Sequence, residues 1–401
     1  MSRLGCTNCR HHYQRTEFLQ RCPSCNEPLE VQVDLAEARA PFPTGDSILV
    51  RFQQVLPPLQ MDASLSLAEG NTPLMRAHRL ESALGLSELF LKDERRNPTG
   101  SFKDRGTVLS VQRALELGLT RIGTVSSGNM GASVAAYAAR AGLSCYILVS
   151  DTINPQKLGP IAVHSPRLIT VDGDYGDLYF QSLIIGQRLG IYFANSDDPF
   201  RVEGQKTIVY ELWEALGQGM ADYIVLPLSS GGNMSAILKG VRELEQMGWL
   251  HSVPAIIGVQ AEGASPIARA FQAGREEISR VSNPRTVAPE ISNPYPPSGN
   301  HVLRQLRAFP NSSIMTVSDK EILEAQGRLA SEEGLFVQPG AATPLAAVMK
   351  LLRTGDLPQD KRIICLITGD GIKDISVLEH RGVEIEKVLL QDLHRAIEAH
   401  L

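Results

Sequence analysis

The chain has 401 residues, which exceeds one average domain and predicts two domains with a small appendage. Hydrophobic residues make up 43% of it, enough for a sizeable core, and the formal net charge of −5 argues against a general nucleic-acid-binding or membrane-surface protein. The sequence has no apolar run of about 18 residues, and Met1 to Arg3 lead into cysteines instead of a signal sequence, so a soluble cytoplasmic protein is expected.

Four of the six cysteines lie within the first 25 residues, as two Cys-x2-Cys pairs separated by twelve residues. The pairs are Cys6 with Cys9 and Cys22 with Cys25. Such knuckles bring four thiolates to one tetrahedral centre, and in a reducing compartment zinc is favoured over disulfides, with iron a minor alternative. Because four cysteines leave no open position, the site is expected to be structural. His11 and His12, between the pairs, are expected to be exposed polar residues and not ligands.

The rest of the chain predicts an α/β protein. Residues 34–64 carry four prolines and little periodicity, which indicates a connecting arm. From Leu65 onward short apolar strands alternate with helical stretches, which predicts largely parallel sheets covered by helices. Ligands of such sheets bind beyond the carboxyl ends of the strands. The predicted units are a zinc-ribbon-like knuckle at 1–33, the arm at 34–64, a larger lobe at 65–104 and 196–401, and a smaller lobe at 105–195.

Individual strands and one long loop follow from the same pattern. The loop is residues 281–301, rich in Pro, Asn and Ser, and it is expected near the site. The strand candidates are residues 89–91, 122–125, 145–149, 168–171, 191–193, 223–226, 255–259, 314–317 and 363–367.

One lysine stands at the centre of residues 97–106, a loop that runs from an apolar strand into a helix. Ser101 and Asp104 predict a capping box, which places Lys103 in the first helical turn. The positive end of the helix dipole, together with Arg105, disfavours an ammonium there and favours a neutral, nucleophilic amine. A lysine that forms a Schiff base requires such an amine. A solvated lysine beside a turn is the ordinary alternative.

Three further loops each follow a predicted strand. Residues 126–129 place backbone N–H groups and hydroxyls at a helix start, which suits a carboxylate. Residues 229–233 contain adjacent glycines, so that the backbone can approach and bind a phosphate. Residues 368–371 end the last apolar strand. Alone, each of these loops would be an ordinary turn.

Residues 97–106 resemble the cofactor-lysine segment of threonine synthases, a family of fold-type II (tryptophan-synthase β-like) pyridoxal phosphate enzymes. The segments that follow in the family's order and approximate spacing are residues 126–129, 195–207, 229–233 and 368–371. The resemblance covers most of residues 65–375. It implies a two-lobed fold-type II enzyme that binds pyridoxal 5'-phosphate in its larger lobe. It also implies conversion of O-phospho-L-homoserine and water into L-threonine and phosphate, by γ-elimination and β-addition, in a homodimer.

The resemblance also implies roles for individual residues. Lys103 is the catalytic residue, which holds the cofactor and moves protons. The implied cofactor-binding residues are Lys103, Asn129, Ser229, Ser230, Gly231, Gly232, Asn233 and Thr368. The implied substrate-binding residues are Ser126, Ser127, Asn195, Ser196, Arg201 and Lys206. Of these, Asn129 is matched to the cofactor's phenolic oxygen, Thr368 to its ring nitrogen, and Arg201 to the substrate phosphate.

Three residues depart from the family and leave the leaving group and the substrate open. Met130 stands where threonine is common, and Asp197 and Asp198 replace less acidic residues. The alternatives within the cofactor class are β-replacement on O-phosphoserine, as in cysteate synthase, and serine or threonine dehydration, which would not need Arg201. A different class is a nucleic-acid-binding or protein-binding module with an inactive enzyme fold, which predicts the loss of Lys103 or a basic surface on the knuckle; Lys103 is present. Asp370 is an alternative partner for the ring nitrogen.

Overall fold

The computed structural model describes residues 3–151, 158–173, 175–373 and 386–399. These residues form a three-stranded, a four-stranded and a six-stranded sheet. The strands are β1 Arg3–Cys6, β2 His12–Gln14, β3 Leu29–Gln32, β4 Leu74–Arg76, β5 Glu88–Asp93, β6 Arg121–Val125, β7 Ser144–Ser150, β8 Arg167–Val171, β9 Tyr192–Phe193, β10 Tyr223–Pro227, β11 Ala255–Ala261, β12 Ser313–Val317 and β13 Arg362–Ile367.

Helices connect the strands and cover the sheets. They are α1 Ile48–Arg51, α2 His78–Leu84, α3 Lys103–Glu116, α4 Asn129–Arg140, α5 Gly159–Ala162, α6 Tyr175–Leu189, α7 Pro199–Gln205, α8 Thr207–Ala215, α9 Gly232–Gln246, α10 Pro266–Gln272, α11 Gly299–Ala308, α12 Asp319–Glu333, α13 Pro339–Thr354 and α14 Leu393–Glu398. In the described part of the chain, no helix has the length and apolar character needed to cross a membrane.

The two larger sheets confirm the predicted α/β class. The six-stranded sheet has the order β12-β11-β10-β13-β5-β4, and all its pairs are parallel except the edge strand β4. The four-stranded sheet has the order β8-β7-β6-β9 and is parallel throughout. All nine predicted strands are present, and the central ones are buried on both faces, which explains their continuous apolar runs.

The strand directions bring four loops to one region, because the carboxyl ends of parallel strands meet at the same edge of a sheet. Strand β5 is followed by the lysine loop, β10 by residues 229–233, and β13 by Thr368. Strand β6 of the other sheet is followed by residues 126–129. The predicted long loop is confirmed up to Ser298, and α11 begins at Gly299.

The N-terminal segment and the arm pack on the body of the protein. Strands β1 to β3 form the antiparallel three-stranded sheet, with Leu4 and Val31 buried. In the arm, the ring of Phe42 lies edge-on to the rings of Phe52 and Tyr210, at centroid distances of 5.0 and 5.4 Å. The predicted connecting arm therefore contributes aromatic side chains to the main hydrophobic core.

Helix α3 begins at Lys103, but the predicted capping box is wrong. The Asp104 carboxylate accepts hydrogen bonds from the backbone N–H and the hydroxyl of Thr99, at 2.7 and 2.6 Å. The Ser101 hydroxyl is buried and has no hydrogen-bond partner among the described residues. The loop is instead held by backbone contacts, since Ser101 pairs with Gly369 and the Phe102 N–H donates to the Thr368 carbonyl at 3.2 Å.

A buried ion network anchors the start of α3. The Arg105 guanidinium donates to Glu94 and to Glu211 at 2.7 Å each, with the Arg105 side chain fully buried. Lys92 donates to the second oxygen of Glu211 at 2.6 Å. Two cations therefore face two carboxylates. The Thr72 hydroxyl also belongs to this network, because it donates a hydrogen bond to Glu94 at 2.6 Å.

We predict that Arg105→Met will lower the free energy of unfolding by about 3–5 kcal/mol, because it leaves two buried carboxylates with one cation. The matched control is Arg362→Met, which removes an ion pair with Glu88 between side chains about one third exposed. That change should lower the free energy of unfolding by less than about 1 kcal/mol. Urea unfolding followed by circular dichroism measures both, and equal stability of the Arg105 variant and the wild type would contradict the prediction.

Candidate active site

A cavity of about 500 Å³ lies where these loops meet the start of α3. Its wall includes most of the residues that the sequence analysis selected. Those residues are Lys103, Ser126, Ser127, Asn129, Ser196, Ser229, Ser230, Gly231, Gly232, Asn233 and Thr368. Met130 also lines the cavity.

Lys103 is the first residue of α3 and faces this cavity. Its Nζ lies 4.1 Å from the centroid of the Phe102 ring. Burial, together with the positive charge of Arg201, lowers the pKa of Lys103 to about 7. The sequence analysis named Arg105 as the neighbouring cation, which is wrong, because the Arg105 charge is compensated by Glu94 and Glu211. The lowered pKa makes the neutral, nucleophilic amine accessible near neutral pH.

The loop before α9 has the geometry of a phosphate site. Gly231 has a φ of +100°, and a Cβ there would lie 2.5 Å from Val302. A Cβ on Gly232 would lie 2.3 Å from the carbonyl oxygen of Ser196, so both positions need glycine. No side chain caps α9, which leaves the positive end of its dipole available to an anion. Both polar atoms of the buried Asn233 amide have no hydrogen-bond partner in the part of the chain described.

The loop between α10 and α11 closes one side of the cavity, which confirms its predicted position near the site. The cavity-lining residues of this loop are 289–294. Asn293 donates from Nδ2 to the Ser230 hydroxyl at 3.0 Å, and Glu290 accepts from the Gly340 N–H at 3.2 Å. The sequence analysis missed both side chains because nothing local showed which neighbours the loop would contact.

Asn129 is held by two residues that the sequence analysis also missed. Its Nδ2 donates to Gln338 Oε1 at 2.6 Å, and its Oδ1 accepts from Lys373 Nζ at 2.9 Å. Lys373 lies two residues beyond the motif at 368–371, and Gln338 immediately precedes α13. Both line the cavity. The sequence did contain a hint of both residues, because Lys373 follows the end of β13 and Gln338 precedes the start of α13, and both have polar side chains.

Thr368 lies at the end of β13 with its side chain in the cavity wall. Asp370 is not among the residues that line the cavity, and its carboxylate accepts the Ile372 N–H at 2.9 Å. This contact is typical of a turn aspartate. The geometry therefore favours Thr368 over Asp370 as the group that faces a cofactor ring.

Two predicted substrate residues point away from the cavity. The Asn195 side chain accepts from the Val125 N–H at 3.0 Å and donates to the Ser182 hydroxyl at 3.0 Å. The Lys206 ammonium is fully buried between Glu203, at 2.6 Å, and Glu243, at 2.8 Å. The expectation that these side chains hold substrate is therefore corrected, because their polar atoms already bind other parts of the protein.

Arg201 is fully buried one layer behind the cavity wall and does not line it. It donates to the Thr107 hydroxyl at 2.8 Å and to the Lys103 carbonyl at 3.4 Å. Its Nε has no partner within the described residues. Burial lowers the pKa of Arg201 to about 10, so that the guanidinium stays charged at neutral pH.

Both acidic residues that depart from the family pattern have protein partners. Asp198 caps α7 by accepting the Phe200 N–H at 3.0 Å, and it also accepts from the Ser110 and Tyr192 hydroxyls. Asp197 pairs with the guanidinium of Arg21, which belongs to the N-terminal segment. Because of these partners, neither carboxylate is directed into the cavity.

The four N-terminal cysteines form one cluster. Their sulfur atoms all lie within 4.8 Å of one another, with Cys6 and Cys25 3.4 Å apart and Cys9 and Cys22 3.5 Å apart. A zinc ion with Zn–S bonds of about 2.3 Å separates its sulfur ligands by roughly 3.8 Å, so the donor set fits zinc. His11 Nδ1 lies 3.2 Å from the Cys9 sulfur, outside this set.

The donor set also fits pyridoxal phosphate. An amine with a pKa near 7 suits the aldehyde, and the uncapped start of α9 suits the phosphate. The unpartnered Asn233 amide provides hydrogen-bonding atoms that a bound group would satisfy. The fit rests on these features of the cavity, independently of any sequence resemblance.

Comparisons with known proteins agree with this geometry. Residues 65–369 match a family model described as pyridoxal-phosphate dependent enzyme. The chain is 37% identical to a threonine synthase of Methanocaldococcus jannaschii, with 92% of each chain covered, and 34% identical to one of Methanosarcina acetivorans, with 93% covered. Among solved structures, the chain is similar in fold to a maize serine racemase, with a TM-score of 0.64 and 21% identity. The match covers 83% of this chain and 94% of the racemase.

We predict that the Lys103 amine of the cofactor-free protein will react with a dilute acylating reagent at a rate that is half-maximal near pH 7. The reason is that burial lowers its pKa to about 7, so the reactive neutral form accumulates as the pH rises through that value. Mass spectrometry of the labelled peptide measures the rate. In urea-unfolded protein the same lysine should show the ordinary pKa of about 10.4. The same high value in the folded protein would contradict the prediction.

Proposed function

The chain belongs to the family of pyridoxal-phosphate dependent enzymes, and on this basis we propose that it converts O-phospho-L-homoserine and water into L-threonine and phosphate. Threonine synthases are similar to it over more than nine-tenths of its length, which supports the same reaction here. The overall change removes phosphate from Cγ of the substrate and adds water at Cβ.

The cofactor would be held by residues from four loops. Lys103 would hold its aldehyde carbon, residues 229–233 its phosphate, Asn129 its phenolic oxygen and Thr368 its ring nitrogen. When bound, pyridoxal phosphate serves as an electron sink that stabilises negative charge on the substrate's carbon atoms. The hydroxyls of Ser126 and Ser127, at the start of α4, are suited to the substrate carboxylate.

Lys103 is the group that moves protons in this proposal. Since its pKa is about 7, it can accept a proton from a substrate carbon and return one without a large energetic penalty at neutral pH. The cavity wall brings it close to where the substrate must lie, between the lysine loop and α4. One side chain therefore suffices for successive proton transfers at Cα and Cβ.

The observation that carries the choice of substrate is the buried charge of Arg201. Arg105 and Arg113 are also buried, and each has a carboxylate within 2.7 Å. Arg201 has no carboxylate at ion-pair distance among the described residues, and the charges of Asp198 and Asp104 act on it only from farther away. A buried cation without a paired anion is costly, and an anionic ligand would offset that cost.

The phosphate of O-phosphohomoserine is such an anion. To reach a phosphate in the cavity, the Arg201 side chain must reorient, and the cavity wall there includes Ser196, whose hydroxyl has no partner among the described residues. Within the described chain, the guanidinium is held by two hydrogen bonds, to Thr107 and to the Lys103 carbonyl. Free serine and threonine have no phosphate, so a dehydratase would not need this arginine. O-phosphoserine remains a competing substrate and is tested beside O-phosphohomoserine.

We predict that the wild-type protein will release threonine and phosphate in equal amounts from O-phosphohomoserine, and that Arg201→Ala will lower kcat/KM at least about tenfold. Each charge-assisted hydrogen bond to the phosphate contributes roughly 1.5–3 kcal/mol. Pyridoxal phosphate binding should survive, because its phosphate is assigned to residues 229–233. The matched control is Arg188→Ala, which changes an exposed arginine on α6.

Three outcomes decide this proposal. No turnover of O-phosphohomoserine by the wild type, combined with turnover of serine, threonine or O-phosphoserine, would replace the proposed reaction with the alternative. Equal activity of wild type and Arg201→Ala would remove Arg201 from the substrate site. Loss of activity in Arg188→Ala as well would show that the effect of Arg201 is not local.

We also propose that the four cysteines bind one structural zinc ion. Cys6, Cys9, Cys22 and Cys25 supply four sulfur ligands, which leaves no position for a substrate. The surrounding segment is short, and its two strand pairings have only three and four paired residues among the described residues, so metal ligation would supply much of its stability. The cytoplasmic location expected from the sequence and the homodimer that the resemblance implies remain expectations, and light scattering tests the homodimer.

We predict about one zinc ion per chain by plasma mass spectrometry, lost in Cys22→Ser because three thiolates bind the metal more weakly. The matched variant is His11→Ala, which should retain the metal because the histidine lies beside the cysteine cluster and is not one of its four ligands. Full zinc content in Cys22→Ser, or its loss in His11→Ala, would overturn the four-cysteine assignment.

A further inference from the structure

A second lysine lines the cavity, and none of the roles above uses it. Lys373 Nζ lies 2.9 Å from Asn129 Oδ1. The lysine approaches the cofactor-lysine loop closely at Gly100, where a Cβ would lie 3.1 Å from Lys373 Cε. Asp104 and Asp370 are the carboxylates that favour its charged form, against the effect of burial. Burial on balance lowers the pKa of Lys373, so these two carboxylates and the contact with Asn129 Oδ1 are what favour a cation in the cavity wall.

The chemistry of this contact fixes the orientation of the Asn129 amide. An ammonium group only donates hydrogen bonds, so the atom that faces Lys373 must be the amide oxygen. The amide nitrogen is then directed to the other side, where it donates to Gln338 Oε1 at 2.6 Å. Because an NH₂ group has two hydrogens, one remains available to a ligand in the cavity. Lys373 and Gln338 together select one of the two amide orientations.

We propose that Lys373 is a positioning residue that turns the Asn129 amide nitrogen toward the cofactor's phenolic oxygen and places a positive charge beside it. This inference rests on the proposed function, since it assumes that pyridoxal phosphate occupies the cavity. Without Lys373, the Asn129 amide can rotate by half a turn and present its oxygen to the phenolic oxygen, which repels it. The positive charge that balances a phenolate would be lost at the same time.

The experiment compares the cofactor-loaded wild type with Lys373→Met, Lys373→Arg and Lys361→Met. Lys361 is a partly exposed lysine with only a long contact, of 3.9 Å, to Asp222, and it serves as the matched control. The two readouts are the visible absorption maximum of the bound pyridoxal phosphate and its dissociation constant, and both are independent of turnover. Circular dichroism confirms folding, and Lys373→Ala replaces Lys373→Met if the latter does not fold.

Lys373→Met should move the absorption maximum and raise the dissociation constant about tenfold, the effect of one charge-assisted hydrogen bond. Lys373→Arg keeps a charged donor and should restore both values, and Lys361→Met should match the wild type. A wild-type spectrum and affinity in Lys373→Met, or equal defects in Lys373→Met and Lys373→Arg, would overturn the proposal. A wild type that binds pyridoxal phosphate but makes no threonine would contradict the proposed function alone, because these readouts need only the cofactor.

Discussion

The ion network around Arg105 sets the direction in which Lys103 points. Successive residues on an α-helix are rotated by about 100°, so side chains two positions apart face nearly opposite sides. Arg105 is fully buried against Glu94 and Glu211, which fixes the helix on that side. Lys103 must then face the cavity, where no carboxylate of the described residues pairs with it. The same few residues thus provide both a rigid helix start and an amine whose pKa falls to about 7.

The buried cations of this protein are of two kinds: those that pair with a carboxylate and stabilise the fold, and those that do not and are available to ligands. Arg105, Lys92 and Lys206 are each paired with buried carboxylates and stabilise the fold. Arg201 and Lys373 have side-chain contacts with neutral groups, a threonine hydroxyl and an asparagine amide. Arg201 is fully buried and Lys373 is partly buried, and a cation whose nearest polar contacts are neutral can take its balancing negative charge from a ligand.

The N-terminal segment takes part in this arrangement. Arg21 pairs with Asp197, which is adjacent to the cavity-lining Ser196, and Lys239 donates to the Val31 carbonyl of β3. Arg21 opposes the rise in the pKa of Asp197 that burial causes. The cysteine segment therefore contributes a charge next to a cavity-lining residue, in addition to the stability that a bound metal would provide.

The sequence predicted the parts of the structure that depend on local pattern. Continuous apolar runs gave all nine strands of the parallel sheets, and the loops at 126–129, 229–233 and 368 line the cavity as the strand order requires. It did not predict which partners distant polar side chains would find. Ser101 and Asp104 had the spacing of a capping box, but Thr99 competes for the carboxylate. From the sequence, Lys206 was predicted to bind substrate, but in the folded protein it pairs with Glu243, which is distant in the chain.

Two lysines line one cavity, and we assign the cofactor to Lys103 alone. Borohydride reduction of the pyridoxal phosphate-loaded protein fixes the cofactor irreversibly to the lysine that holds it, and peptide mass spectrometry identifies that lysine. We predict the modification on the peptide that contains Lys103, with Lys373 unmodified. Modification of Lys373, or none at either lysine, would contradict it.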